Sequence, residues 1–165
     1  MSARRETRRD MRVAIVGAGV MAEAMIAGLL ADRAVAPSKL VASHPRRDRR
    51  DLLMSRHGIS VVTRNAEAVP EADIVVLAVK PQMLRSVMRE VGPMLEKGQV
   101  VLSIVAGATL RTLTSGLDHA AVVRAMPNTP SQIRRGIAVW SASSACTGRQ
   151  RDLARSVLRA IGSEK

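Results

Sequence analysis

The stretch VAIVGAGVMAEAMIAGLL, from Val13 to Leu30, constrains this chain more than any other. Four apolar residues run into Gly17-Ala18-Gly19-Val20-Met21-Ala22, and strong helix formers follow. Gly17 permits a tight turn. Gly19 lacks a Cβ, so the backbone there can approach a diphosphate. Ala22 is small enough for the helix to pack closely on the strand. The helix N-terminus then offers N–H groups and partial positive charge to an anion. A G-x-G-x-x-A pattern is weak alone. It gains weight here because it ends a strand, opens a helix and starts a βαβ unit. The plain alternative is a tight turn that holds nothing.

The alternation continues along the chain. Lys39 to Ser43 reads as a second strand, followed by a helix over RRDRRDLLMSRHG that Gly58 stops. ISVV is a third strand and Asp73 to Val79 a fourth, with a helix from about Gln82 to Val91. Gln99 to Gly107 is a fifth strand, and TLRTLTSGL a short helix. AVVRAM is a sixth strand, broken by Pro127 and Pro130. GIAVWSA is a seventh, and an amphipathic helix over Thr147 to Ile161 closes the domain. Apolar strands alternating with helices imply an α/β fold: a doubly wound, mostly parallel sheet of the Rossmann NAD(P)-binding type. With 165 residues, one such domain over 11–162 is expected. Residues 1–10, MSARRETRRD, are expected to be a disordered basic extension, with Met11 a candidate natural start. Residues 163–165 are expected to be a tail.

The formal charge of +12 raises the question of nucleic acid. The arginines are dispersed between the N-terminus, residues 46–50 and the C-terminal region. Phe and Tyr are absent and Trp140 stands alone, so stacking platforms are nearly missing. No nucleic-acid partner is therefore expected. No apolar run reaches the eighteen residues of a membrane span, so no membrane role is expected either. A single Cys146 excludes an internal disulfide and a cysteine-rich metal site. His44, His57 and His119 form no nucleophile or metal constellation and read as surface or helix-end residues. No metal is expected, and the compartment reads as cytoplasmic.

The end of the second strand bears on which dinucleotide would bind. An NAD site usually carries a carboxylate there for the ribose 2′-hydroxyl. This chain reads Ser43-His44-Pro45-Arg46-Arg47. Ser43 can donate to a phosphate oxygen, and Arg46 or Arg47 can form a charge-assisted fork with one, which favours NADP(H) over NAD(H). The alternative is that these arginines are the solvated start of a helix. LAVKPQ (Leu77 to Gln82) and MPNTP (Met126 to Pro130) both fall at carboxyl ends of strands, where open α/β sheets bind ligands. Lys80 is a candidate base but reads more simply as solvated. Pro81 and Pro127 read as fixing backbone around a pocket.

Taken together, VGAGVMAEAMIAGL, VASHP, the Asn65 segment, DIVVLAVKPQ, VVLSIVAGAT and VVRAMPNTPSQIRRGIAVW resemble the pyrroline-5-carboxylate reductase family, in order and spacing from Met11 to about Ile161. The resemblance implies that Val16, Gly17, Ala18, Gly19, Val20 and Met21 hold the diphosphate. It implies that Ser43, His44 and the residues after them reach the 2′-phosphate, and that Asn65 contacts the adenosine side. Ala78, Val79, Lys80 and Pro81, with Ile104, Val105, Ala106 and Gly107, would line the path to the nicotinamide. Met126, Asn128 and Thr129, together with Lys80 and Pro81, would border the reacting end. The implied reaction is hydride transfer from NAD(P)H to the imine of 1-pyrroline-5-carboxylate, giving L-proline. A protonated imine is already electrophilic, so no residue is singled out as catalytic.

Members of that family continue into an all-helical domain that makes the dimer and grips the substrate carboxylate, whereas this chain ends at AIGSEK. The resemblance therefore implies a cofactor domain that is poorly active alone. Leu153, Val157 and Leu158 are expected to form an exposed apolar face awaiting the further domain. Two other classes stay open: another NADP-dependent reductase, such as a deazaflavin-dependent oxidoreductase or a hydroxyacid dehydrogenase, and a non-catalytic dinucleotide-binding module. AMPNTP speaks against the first.

Overall fold

Every residue of β1 (Val13–Val16), β4 (Ile74–Leu77) and β5 (Val100–Ser103) is buried, as strands covered on both faces require. The computed structural model describes residues 10–128 and 136–165. In chain order, α1 (Val20–Ala31) follows β1, and α2 (Arg47–His57) follows β2 (Leu40–Ser43). The short α3 (Asn65–Ala68) follows β3 (Ser60–Val62), and α4 (Leu84–Val91) follows β4. After β5 come α5 (Leu110–Leu117), β6 (Val122–Pro127), β7 (Gly136–Ala142), α6 (Gly148–Arg159) and β8 (Gly162–Glu164). The sheet order is β3-β2-β1-β4-β5-β6-β7-β8. Strands β1 to β6 pair in parallel, β7 runs antiparallel to β6, and β8 lies parallel to β7. This is the doubly wound Rossmann-type sheet that the sequence implies.

The chain steps outward from β1 to β2 and β3, then returns to β4 on the other side of β1. That reversal is the switch point above which such sheets bind ligands. Register makes the strand ends level: Val16 lies opposite both Ser43 and Leu77, and Leu77 lies opposite Ser103.

Period-2 alternation divides the core. Val13, Ile15, Ile74, Val76, Val100 and Leu102 face one side with α1, Leu53 of α2 and α6. Ala14, Val16, Val75, Leu77 and Val101 face the other with Leu84, Val87, Met88 and Val91 of α4 and with α5. Those four α4 positions repeat at three and four residues, so they form one helical stripe. Helix α6 opens on a capping box between Thr147 and Gln150.

Several expectations are corrected. Val157 and Leu158 are fully buried, and Leu153 is half-buried against the same core, because α6 packs on the sheet beside α1. They form no exposed docking face. The contact is close: a Cβ at Gly28 of α1 would lie 2.0 Å from the carbonyl of Ala160. Residues 163–165 are no tail. Ser163 and Glu164 pair with Ile137 and Ala138, and Lys165 exchanges main-chain bonds with Ala138 and Trp140. Pro127 does not break β6 but ends it, opposite Ala138. His119 stands at the end of α5, one of the two places expected for it, and is buried there, with Nε2 2.7 Å from the Gln99 carbonyl. Among the described residues no helix is long and apolar enough to cross a membrane.

Candidate functional site

The glycine turn sits at the switch point. Gly17 has φ +88°, and a Cβ there would lie 2.6 Å from Cγ1 of Val79, so both conformation and space demand glycine. Gly19 differs. It is extended, with φ −83°, and a Cβ there would meet nothing within 4 Å. Its missing side chain leaves open space over the main chain. Gly19 caps α1 without any side-chain hydrogen bond, and Val20 is 68% exposed. The first-turn N–H groups of a helix have no intrahelical acceptor. They therefore face a gap that suits an anion, and the donors present fit the diphosphate of a dinucleotide. The turn is pinned to its neighbours: Ala18 N–H donates to the Ser43 carbonyl at 2.9 Å, and Ala78 N–H to the Val16 carbonyl at 2.9 Å. Val16 and Ala18 are themselves buried, so only their main chain lies at the edge.

On the β2 side, Ser43 is fully buried. Its hydroxyl donates to Oδ1 of Asn65 at 2.8 Å and accepts from Gly17 N–H at 3.4 Å. This side chain supports the turn. Asn65 is drawn into the same chain of bonds, donating through Nδ2 to Glu90 at 2.9 Å; Glu90 also accepts from Ala66 N–H at 3.2 Å. His44 is half-buried, and its Nδ1 accepts from Arg46 N–H at 3.1 Å. Burial pushes this imidazole below its ordinary range, and the charges of Arg49 and Arg46 act the same way.

The two arginines singled out by sequence are exposed and paired outward, Arg46 with Asp48 and Arg47 with Asp51 at 3.7 Å. The arginine that touches the turn is Arg49. Its Nε donates to the Ala18 carbonyl at 3.0 Å and its Nη2 to the Gly19 carbonyl at 3.1 Å, while Nη2 lies 2.7 Å from Glu23 Oε2. The other oxygen of Glu23 receives Arg56 at 2.7 Å and His57 Nε2 at 3.0 Å. Burial opposes ionisation of Glu23, but the bonds from His57, Arg56 and Arg49 outweigh it and hold the carboxyl at about 2. Sequence reasoning missed Arg49 and Glu23. The run of five residues from Arg46 to Arg50 carried no sign of which side chain turns inward.

Beyond β4 and β5, Ala78 and Val79 are half-buried at the edge, whereas Lys80 and Pro81 are exposed. Ile104 N–H donates to the Leu77 carbonyl at 3.1 Å, which holds the two strand ends together. Val105 is buried, and Ala106 and Gly107 are exposed beside it. Met126 is 39% exposed. Asn128 closes the β6–β7 hairpin, accepting from Ile137 N–H at 3.0 Å. Thr129 lies outside the described residues. Five segments, the glycine turn and those after β2, β4, β5 and β6, thus share one edge of the sheet. One level below it, Nε of Arg124 is buried with no hydrogen-bond partner among the described residues.

Residues 12–107 match the family described as NADP oxidoreductase, coenzyme F420-dependent. The chain belongs to this family. Within it, the similarity runs to proteins named pyrroline-5-carboxylate reductase. The one from Pseudomonas aeruginosa is 39% identical over 152 residues, 92% of this chain and 55% of that protein. The solved reductase of Coxiella burnetii superposes with a TM-score of 0.90 at 32% identity, covering 93% of this chain and 57% of that one. A pyrroline carboxylate reductase of Plasmodium falciparum, solved with NADP bound, shares the fold at a TM-score of 0.82 and 20% identity, over 95% of this chain and 57% of its own. The chain therefore spans about half the length of the relatives it matches. The resemblance read from the sequence motifs is borne out.

Proposed function

We propose that this chain binds NADP(H) along the carboxyl edge of its sheet and supplies the cofactor-binding part of a pyrroline-5-carboxylate reductase. One observation carries the reading: an uncapped helix N-terminus behind an open glycine turn, at the switch point of a chain 39% identical to such a reductase. The N–H groups of Val20 and Met21 would hold the diphosphate. Arg46 and Arg47 would take the 2′-phosphate, since their exposed carboxylate partners hold them only weakly. That exchange favours NADP(H) over NAD(H). Ala78 to Pro81 and Ile104 to Gly107 would flank the nicotinamide end, with Met126 and Asn128 beside it. The bound nicotinamide would supply a hydride to the imine carbon of 1-pyrroline-5-carboxylate, with a proton at nitrogen, to give L-proline. The chain's own contribution is to position and exclude water. We place this work in the cytoplasm.

Titration of the 165-residue chain with NADPH, followed by addition of 1-pyrroline-5-carboxylate, tests the proposal. The expected outcome is saturable NADPH binding with slow NADPH oxidation. No binding would overturn it. The family description supports a second reading, reduction of a deazaflavin coenzyme. NADPH oxidation by oxidised F420 but not by the imine would favour that one.

A further inference from the structure

The Arg49 fork has a consequence for the cradle that its charge alone does not have. A planar trans peptide carries its C=O and the following N–H on opposite sides. Arg49 holds the carbonyls of Ala18 and Gly19 at 3.0 and 3.1 Å, so it also fixes the planes that carry the N–H groups of Gly19 and Val20. The Gly19 carbonyl is gripped a second time, by Glu23 N–H at 2.9 Å. The guanidinium is in turn held by Glu23, and both side chains are more than four-fifths buried. A guanidinium is a rigid planar fork, and an ammonium is not. The Glu23 carboxylate is shared between Arg49 and Arg56, so it offsets only part of their charge, and charge and geometry have to be separated by experiment.

We propose that Arg49 is a positioning residue for the diphosphate cradle: its fork on the Ala18 and Gly19 carbonyls, braced by Glu23, keeps the Val20 N–H aimed at the bound diphosphate. This rests on the dinucleotide reading above. It differs from the 2′-phosphate role given to Arg46 and Arg47, because it acts through main chain and on a different part of the ligand.

The test compares Arg49→Met and Arg49→Lys with the unaltered chain, using two ligands in calorimetric titration. NADPH carries the diphosphate. Adenosine 2′-monophosphate carries the 2′-phosphate and no diphosphate. Both variants are expected to weaken NADPH about tenfold and to leave adenosine 2′-monophosphate within about twofold. The lysine variant keeps the charge and loses the fork, so it decides between charge and geometry. If it binds NADPH as the unaltered chain does, charge suffices and the proposal fails. Equal weakening of both ligands, or no weakening, overturns it as well. Should Arg49→Met lack a cooperative thermal transition, Arg49→Lys is read alone by the same criteria. If the unaltered chain binds no NADPH, the dinucleotide reading itself falls and this proposal with it.

Discussion

The buried hydroxyl of Ser43 donates to Oδ1 of Asn65 at 2.8 Å and, on its other side, meets the N–H of Gly17 at 3.4 Å. One hydroxyl at the end of β2 thus ties α3 to the glycine turn. Through Asn65 Nδ2 the chain of bonds extends to Glu90 on α4. Three crossovers of the sheet converge on the turn that would hold the diphosphate.

Ser43→Ala removes this link and leaves a half-buried N–H and a half-buried amide oxygen without this partner. A loss of about 1–3 kcal/mol in stability is expected, read from denaturant midpoints. NADPH binding should weaken as well, since the turn loses a support. An unchanged midpoint would mean that water replaces the hydroxyl.

Arg46 and Arg47 make exposed pairs only, so replacing both with alanine should move stability by less than about 0.5 kcal/mol. The same double variant should lose NADPH affinity much more than NADH affinity. Parallel titrations with the two coenzymes check this, and equal losses would remove the case for the 2′-phosphate.

Acid should weaken the fold in two stages. Both Glu23 and His44 titrate below their ordinary values in the folded chain, so the unfolded state binds protons first and stability falls as pH falls. The His44 contribution starts to be lost as pH drops below the ordinary value of 6.5. The Glu23 contribution is intact above 4.5 and is lost as pH approaches 2. Denaturant midpoints across this range should show both losses, and Glu23→Gln should flatten the lower one. A midpoint that rises between pH 4.5 and 2 would contradict the assignment.

Leu158→Ala separates a core helix from a docking face. With Leu158 fully buried against the sheet, the expected cost is about 2–5 kcal/mol. A cost near zero would return α6 to the surface.

What sequence reveals here follows from the range of each interaction. β1, the turn and α1 are legible because apolar runs, two glycines and helix formers act over a few neighbouring residues. The doubly wound order follows from alternation and handed crossovers. The amphipathic pattern of α6 marks an apolar face but not what covers it, and the covering surface is the sheet beside α1. Strand β8 has no apolar alternation. It is held from outside, by Glu164 accepting from Trp140 Nε1 at 2.8 Å and pairing with Arg155 and Arg159. Ser43 was legible as a polar strand end, but the face it takes depends on register with β1. Arg49 was one of four arginines in five residues. Only the packing of α2 beside α1 turns it, rather than Arg46 or Arg47, onto the glycine turn.

The central claim is that main-chain N–H groups behind Gly19 hold a dinucleotide diphosphate. Calorimetric titration of NADPH into the chain and into Gly19→Val tests it most directly, because a Cβ there meets nothing within 4 Å. The expected result is saturable binding by the unaltered chain and at least tenfold weaker binding by the variant, with both unfolding cooperatively at similar temperatures. Equal NADPH affinity in the two chains would contradict the account.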